Sequence, residues 1–176
     1  MTDPNSLPAA APARLLPALL PPLTWPVARE AVLAGLGGTL AIGVLALCAT
    51  FAATPLIIAP FGASCVLLFT VPSSPLAQPR NVIAGHMLSA AIGVAVLAIL
   101  GPSPLAMAAG VGLAIAVMRI TGTVHPPAGA DPIVVISIAA PWWFFALPVG
   151  IGAAVLVLCA LAYHRLVSGQ AYPTAR

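Results

Sequence analysis

Long apolar runs, separated by short polar or proline-containing breaks, dominate this chain. About 20 apolar residues are needed to cross the roughly 30 Å hydrocarbon layer of a membrane as a helix. The runs that meet this requirement are residues 31–53, 81–100 and 143–165, and a fourth run, 104–121, is slightly short. The pattern predicts an all-α polytopic membrane protein. Its transmembrane domain is predicted over 29–166, between a proline-rich lead-in, 1–28, and a short tail, 167–176.

Two further apolar segments, 55–72 and 124–140, contain proline and glycine near the middle. If both cross the membrane, every arginine falls on the side of the amino terminus. If both dip in and return, leaving four spans plus two re-entrant segments, Arg80 and Arg119 fall on the other side. Because basic residues concentrate in cytoplasmic loops, the arginines favour six crossings with both termini in the cytoplasm.

The two interrupted segments resemble each other. Each contains P-x-G-A followed by a polar residue, and a shift of 67 residues brings Pro60 onto Pro127 and Ser64 onto Asp131. Each copy lies centrally in a unit of three predicted spans, so the second unit is inverted relative to the first. Paired interrupted helices in inverted units indicate a transport site near the middle of the membrane.

The local chemistry predicts a short helix after each copy, over 65–72 and 132–140. Ser64 and Asp131 are favourable N-cap residues, and Pro132 suits a first helical position. In an inverted repeat both amino termini would face the centre of the bilayer and present unpaired N–H groups with partial positive charge. Two such ends would form a site for an anion without any lysine.

Composition narrows the class of protein. Hydrophobic residues make up 61% of the chain and charged residues 5%, whereas a soluble domain has roughly a quarter charged residues. The six basic residues are scattered arginines, which argues against a nucleic-acid partner. Cys48, Cys65 and Cys159 lie in apolar stretches without metal-ligand spacing, so we expect free thiols in the core, no metal and no cofactor.

The candidate site residues lie in the two repeat copies and around the third span. Those predicted to bind the substrate are Phe61, Gly62, Ala63, Ser64, His125, Pro126, Pro127, Ala128, Gly129, Ala130 and Asp131. Those predicted to form the mouth and steer anions are Arg80, Asn81, His86 and Arg119. The glycines are expected to permit special backbone conformations.

Three of these residues have two readings each. His125 is either a pore-facing donor or proton carrier, or a loop histidine that bonds free carbonyls. Asp131 is either a functional intramembrane carboxylate or a helix cap. His86 either belongs to the mouth or forms a polar contact that packs helices together, and the second interpretation is favoured.

The motifs "HPPAGADP", "PFGASCVLLF" and "SPLAQPRNVIAGH", in that arrangement, resemble the HPP family of integral membrane proteins over residues 28–165. The family is usually described with four transmembrane helices, and plant-chloroplast and cyanobacterial members are implicated in nitrite transport. The resemblance implies a channel or transporter for a small monovalent anion such as nitrite, in a bacterial inner membrane. A pore for a small neutral solute and a non-transporting scaffold are the alternatives, and an enzyme is not expected. The sequence allows a homo-oligomer without specifying one.

Overall fold

The computed structural model describes residues 23–52 and 55–174, and all regular secondary structure within these ranges is helical. The α-helices are α1 (Trp25–Ala52), α2 (Pro60–Thr70), α3 (Pro79–Leu100), α4 (Pro104–Thr121), α5 (Asp131–Ser137) and α6 (Ile151–Tyr163). Short 3₁₀ turns precede α3, α5 and α6, at Pro75–Ala77, Pro126–Ala130 and Trp142–Phe145. Wider π-type turns flank α6 at Ala146–Gly150 and His164–Ser168.

Four helical segments are long and apolar enough to cross a membrane: Trp25–Phe51, Pro79–Leu100, Pro104–Thr121 and Trp142–Ser168. The predicted all-α polytopic class is therefore confirmed. The first span begins at Trp25, six residues before the predicted start at 31, because Pro26 lies in the first helical turn, where its missing N–H is no loss.

The helix ends follow from local sequence. Proline occupies the first turn of α2, α3 and α4, where its fixed φ suits a helix start. Ser103 caps α4, since its hydroxyl accepts a hydrogen bond from Ala106 N at 3.1 Å. Gly122 ends the same helix with φ 66°, a conformation that glycine adopts without strain.

The first interrupted segment runs antiparallel to α1. Gly62 borders a cleft with Gly43 in the second half of α1, whereas the ring of Phe69 packs on Gly37, nearer its start. The backbone carbonyl of Leu68 accepts a hydrogen bond from His164 Nε2 at 2.8 Å, beside the end of α6. Residues 55–70 therefore connect the end of the bundle where α1 finishes with the end where α1 starts.

The second interrupted segment also connects opposite ends. Arg80 Nη2 donates to the carbonyl of Thr121 at 2.8 Å, which places the end of α4 beside the start of α3. From there the chain follows α3 until Pro132 contacts Gly93. Beyond α5, Ile138 shares a cleft with Pro55 at the far end. Both segments thus pass through the bundle, as the six-crossing topology requires, while the twofold symmetry of an inverted repeat stays a prediction.

All the arginines among the described residues lie at one end of the bundle, which we call the basic end. Arg29 is near the start of α1, Arg80 near the start of α3, Arg119 in the last turn of α4 and Arg165 just after α6. All four are exposed. The proline-rich residues 1–22, including Arg14, and Arg176 lie outside the described residues.

The predicted bounds of the short helices are wrong. Helix α2 begins at Pro60 instead of 65 and continues without interruption through 60–63, because the N–H groups of Phe61 and Gly62 bond to the carbonyls of Ile58 and Ala59. Helix α5 covers Asp131–Ser137 instead of 132–140, and the positive φ of 47° at Ala139 ends it. A 3₁₀ turn joins it directly to the residues before it.

The apolar core lies where α2, α3, α5 and α6 meet. Its fully buried members include Phe61, Leu68, Val82, Val135 and Leu156. Cys48, Cys65 and Cys159 are free thiols, as predicted, and Cys65 is buried. The core encloses a small group of polar side chains, which is the most unusual feature of the molecule.

Candidate functional site

Four polar side chains are buried together between the interrupted segments and α3. Ser64 comes from α2, His86 from α3, His125 from the residue before the 3₁₀ turn, and Asp131 from the start of α5. Their exposed fractions are 0%, 0%, 0% and 1%. Polar groups are stable in such surroundings only when they bond to one another, so we treat these four residues as one unit, the polar network.

The polar network is a continuous chain of hydrogen bonds. Asp131 Oδ2 lies 2.7 Å from His86 Nδ1, and His86 Nε2 lies 2.8 Å from Ser64 Oγ. Ser64 Oγ lies 2.9 Å from His125 Nε2, and His125 Nδ1 lies 2.8 Å from the carbonyl oxygen of Leu76. Leu76 is in the loop at the basic end, so the chain of bonds leads from that end into the bundle.

The prolines of the second segment explain why its backbone needs partners from α3. Pro126 and Pro127 have no N–H and leave nearby carbonyls without helical donors. Asn81 Nδ2 donates to Val124 O at 2.9 Å, and Ser89 Oγ donates to Ala128 O at 2.6 Å. The interrupted backbone is thereby satisfied within the protein, as its depth in a membrane demands.

Glycines let the second segment approach α3 and α4 closely. A Cβ atom on Gly85 would lie 2.9 Å from Thr123 O, and one on Gly93 would lie 2.8 Å from Pro132 Cα. On the other side, a Cβ atom on Gly110 of α4 would lie 2.9 Å from Pro132 Cβ. These separations are shorter than real Cβ contacts. Gly85 therefore lets Thr123 pack closely on α3, and Gly93 and Gly110 let the start of α5 pack between α3 and α4.

The capping roles predicted for Ser64 and Asp131 are wrong. Ser64 lies in the second turn of α2, where its hydroxyl bonds the network and Pro60 O, and Asp131 makes no side-chain cap bond. The N–H groups of Phe61, Gly62 and Asp131 bond to backbone carbonyls. These three N–H groups are therefore not open to an anion, and side chains supply the polarity at this position.

The special backbone roles predicted for Gly62 and Gly129 are also wrong. Neither has a positive φ, and a Cβ atom on either would meet nothing within 4 Å. Among the other predicted binding residues, Phe61, Pro127 and Ala128 are buried, whereas Ala63 and Pro126 are exposed and Ala130 is half-buried. The edge of the Phe61 ring meets the His86 ring, with centroids 5.1 Å apart.

The predicted mouth residues separate into two groups. Arg80 and Arg119 are exposed at the basic end, and Arg119 borders a cleft that also reaches His125, Pro126 and Gly129. Asn81 is buried against the second segment. His86 is not at the mouth, because Asp131 and Ser64 hold it within the polar network.

Sequence reasoning missed Ser89, Gly85, Gly93 and Gly110, and the carbonyl of Leu76. The sequence does contain a pattern that includes three of them. Small or polar residues recur at intervals of four along α3, at Asn81, Gly85, Ser89 and Gly93. This spacing places them on one helix face, which is the face that receives the second segment.

The arrangement supports two kinds of chemistry. A buried chain of Asp, His, Ser and His can pass protons, as such residues do in membrane transporters. The contacts Asp131–His86–Ser64 also follow the order of a Ser–His–Asp catalytic triad. Among the described residues no group of three or more His, Cys, Asp or Glu side chains could hold a metal ion.

The model of a protein family described as the HPP transmembrane region matches residues 24–173. A transmembrane protein of Dictyostelium discoideum is 38% identical over 125 residues, which are 66% of this chain and 44% of the relative. A second transmembrane protein of the same organism is 36% identical over 128 residues, 68% of this chain and 41% of the relative. The chain thus spans less than half the length of these relatives. No solved structure matches it significantly.

Proposed function

The chain belongs to the family of HPP transmembrane proteins, and on this premise we propose that it is a transporter or channel for a small monovalent anion, with nitrite as the first candidate. The observation that carries the proposal is the polar network. Buried ionisable residues are costly inside a membrane protein and mark the paths of ions and substrates. Asp131 is the acid of this network, and His86, Ser64 and His125 are its partners.

The entry route we propose is the cleft at the basic end. Arg119 is exposed at its border, and the cleft reaches His125, which belongs to the polar network. A guanidinium group attracts anions and raises their local concentration. The anion would pass Arg119 and reach the network through His125, with Ser64 and His86 as the next polar groups.

Beyond Asp131, toward the far end, α5 continues with the buried side chains of Val135 and Ile136. A cleft at that end is lined by apolar residues such as Ile58 and Phe144. Passage through this half requires the interrupted segments to move, as broken helices do in transporters that alternate between two open states.

We place the basic end in the cytoplasm of a bacterial inner membrane. Arg29, Arg80, Arg119 and Arg165 lie there together, and basic residues concentrate on the cytoplasmic side. The chain enters α1 and leaves α6 at this end, so the flanking segments would also be cytoplasmic.

The triad-like order of Asp131, His86 and Ser64 raises hydrolysis as a second candidate. Two observations favour transport over it. Ser64 is fully buried within α2, and its hydroxyl is shared with a second histidine, His125, at 2.9 Å. A catalytic serine needs access to a substrate carbonyl and donors for the oxyanion. A fluorophosphonate probe should leave Ser64 unlabelled, and labelling lost in Ser64→Ala would favour the enzyme.

Nitrite flux through the purified protein in liposomes tests the proposal. Vesicles are separated from external nitrite, and internal nitrite is measured by a colorimetric assay. We expect uptake above that of protein-free liposomes, and no uptake of urea as a small neutral solute. Urea uptake without nitrite uptake would identify a neutral-solute pore, and absence of both would favour a scaffold.

A further inference from the structure

The direction of the hydrogen bonds in the polar network is fixed at the basic end. The carbonyl oxygen of Leu76 can only accept, so His125 Nδ1, at 2.8 Å, must carry a hydrogen. A neutral imidazole has one N–H, so His125 Nε2 is then an acceptor. The hydrogen between it and Ser64 Oγ, at 2.9 Å, must come from the hydroxyl.

The same count of hydrogens can be followed along the network to Asp131. The Ser64 hydroxyl has one hydrogen, and both His125 Nε2, at 2.9 Å, and Pro60 O, at 3.3 Å, can accept it. We assign it to the shorter contact with His125, so His86 Nε2 must donate to Ser64 Oγ across 2.8 Å. A neutral His86 then has a bare Nδ1, and Asp131 Oδ2, at 2.7 Å, must carry a proton. If that proton lies on Nδ1 instead, the pair becomes Asp⁻ and His⁺ with the same number of protons.

Removing this proton leaves the polar network incomplete. With Asp131 ionised and both histidines neutral, the four contacts from Leu76 O to Asp131 Oδ2 must share three hydrogens. One contact is therefore always left between two acceptor atoms, without a hydrogen. No choice of tautomer for His86 or His125 repairs it. The network would also carry one negative charge in an apolar core, which is strongly unfavourable. With the proton, the network is uncharged and each of the four contacts from Leu76 O to Asp131 Oδ2 has its hydrogen.

We propose that the polar network takes up and releases one proton and that the protein moves a small monovalent anion together with this proton. The inference rests on the proposed function and specifies its coupling ion. The proton enters the His86–Asp131 pair in the uptake step and leaves it in the release step, and no electron is transferred. Anion and proton together carry no net charge, so the transport step is electroneutral.

The surroundings leave few other groups to fulfil this role. Of the titratable or charged groups on the elements packed against the polar network, Cys65 faces Gly38 of α1 and His164 bonds Leu68 O and Ser168. Arg80 and Arg119 are exposed at the basic end. Cys159 and Tyr163, on α6, pack against the apolar core. Within the described part of the chain, the proton is therefore assigned to Asp131 and His86.

The experiment uses liposomes that contain the full chain and the pH dye pyranine, with the same pH inside and outside. Sodium nitrite is added outside, and internal pH and internal nitrite are recorded together. We expect nitrite uptake with internal acidification beyond that of protein-free liposomes, which correct for diffusion of nitrous acid. Nitrite uptake above the same control but without extra acidification would overturn proton coupling and leave the proposed function intact. Absence of nitrite uptake would overturn both.

Asp131→Asn is the variant that separates coupling from structure. The asparagine NH₂ group can donate permanently to His86 Nδ1, so the variant imitates the protonated network but has no proton to release. We expect it to lose the nitrite-linked acidification. Ser137→Ala, in the same helix, removes only a hydrogen bond to Ile133 O and should keep it. Unchanged acidification in Asp131→Asn would refute the assignment, and if that variant does not fold, the wild-type recording decides alone.

Discussion

Nδ1 of His86 lies 2.7 Å from Oδ2 of Asp131, although 45 positions separate the two residues, and neither side chain is exposed. A buried pair of this kind is destabilising unless further hydrogen bonds satisfy both members. His86 has such a bond with Ser64, whereas Asp131 Oδ1 has no hydrogen-bond partner among the described residues. A donor can bind at this oxygen, and this supports the functional role that we propose for the pair.

Replacement of Ser64 by alanine should break the polar network at its middle. His86 Nε2 and His125 Nε2 would both lose their partner. A buried group left without its hydrogen bond costs about 1–3 kcal/mol, so we expect a clear loss of thermal stability in detergent and loss of nitrite uptake. Ser137→Ala is the matched control, because its hydroxyl is exposed and bonds only within its own helix. Equal stability of both variants would contradict the bonding described.

The close contact between α3 and the start of α5 leads to a second prediction, on the stability of glycine variants. In Gly93→Ala the new methyl group would lie 2.8 Å from Pro132 Cα, which is backbone and cannot move alone. Overpacking of this kind costs about 1–3 kcal/mol. Gly129→Ala, whose methyl group would meet nothing within 4 Å, should unfold at the wild-type temperature. Thermal unfolding in detergent compares the two variants. A lower unfolding temperature for Gly129→Ala than for Gly93→Ala would contradict this packing.

His125 and His164 allow a comparison between two buried histidines. Each has a bond to a backbone carbonyl at 2.8 Å and one to a serine hydroxyl, but only His125 belongs to the polar network. We expect His125→Ala and His164→Ala to lose comparable stability. Only His125→Ala should lose the acidification that accompanies nitrite uptake. Loss of coupling in both variants would show that the effect follows from reduced stability.

The position of the basic end can be tested with single cysteines. Ser73→Cys lies in the loop before α3, at the basic end, and Pro102→Cys lies between α3 and α4, at the far end; both positions are exposed. An impermeant maleimide added outside intact cells should label Pro102→Cys and spare Ser73→Cys. The wild-type protein, with its three native cysteines, gives the background. The reverse pattern would place the basic end outside the cell.

The sequence predicts the spans well because the signal is local. Runs of about 20 apolar residues and the positions of the arginines are sufficient for the helical class and for the shared location of Arg29, Arg80, Arg119 and Arg165 at one end. The two interrupted segments were also recognisable, since Pro60 and Pro127 stand in similar motifs.

The bonding of the site was not predictable in the same way. Local propensity assigned Ser64 and Asp131 to helix caps, because serine and aspartate are favourable there. In the folded protein His86 binds both side chains from α3, over a distance in sequence that no local pattern reveals. Similarly, the proline-rich segment around Gly129 predicted a special backbone role for this glycine. The glycines that permit close contact are instead Gly93 and Gly110, which lie in long apolar helices without a local motif.

The response of nitrite uptake to membrane potential tests the central claim most directly. Liposomes loaded with potassium or with sodium are given a defined potential by valinomycin, at equal pH on both sides. Because the anion is proposed to cross with the proton of the His86–Asp131 pair, the initial rate of uptake should be the same at either sign of the potential. Faster uptake when the interior is positive would mean that the anion crosses alone, and it would contradict the account.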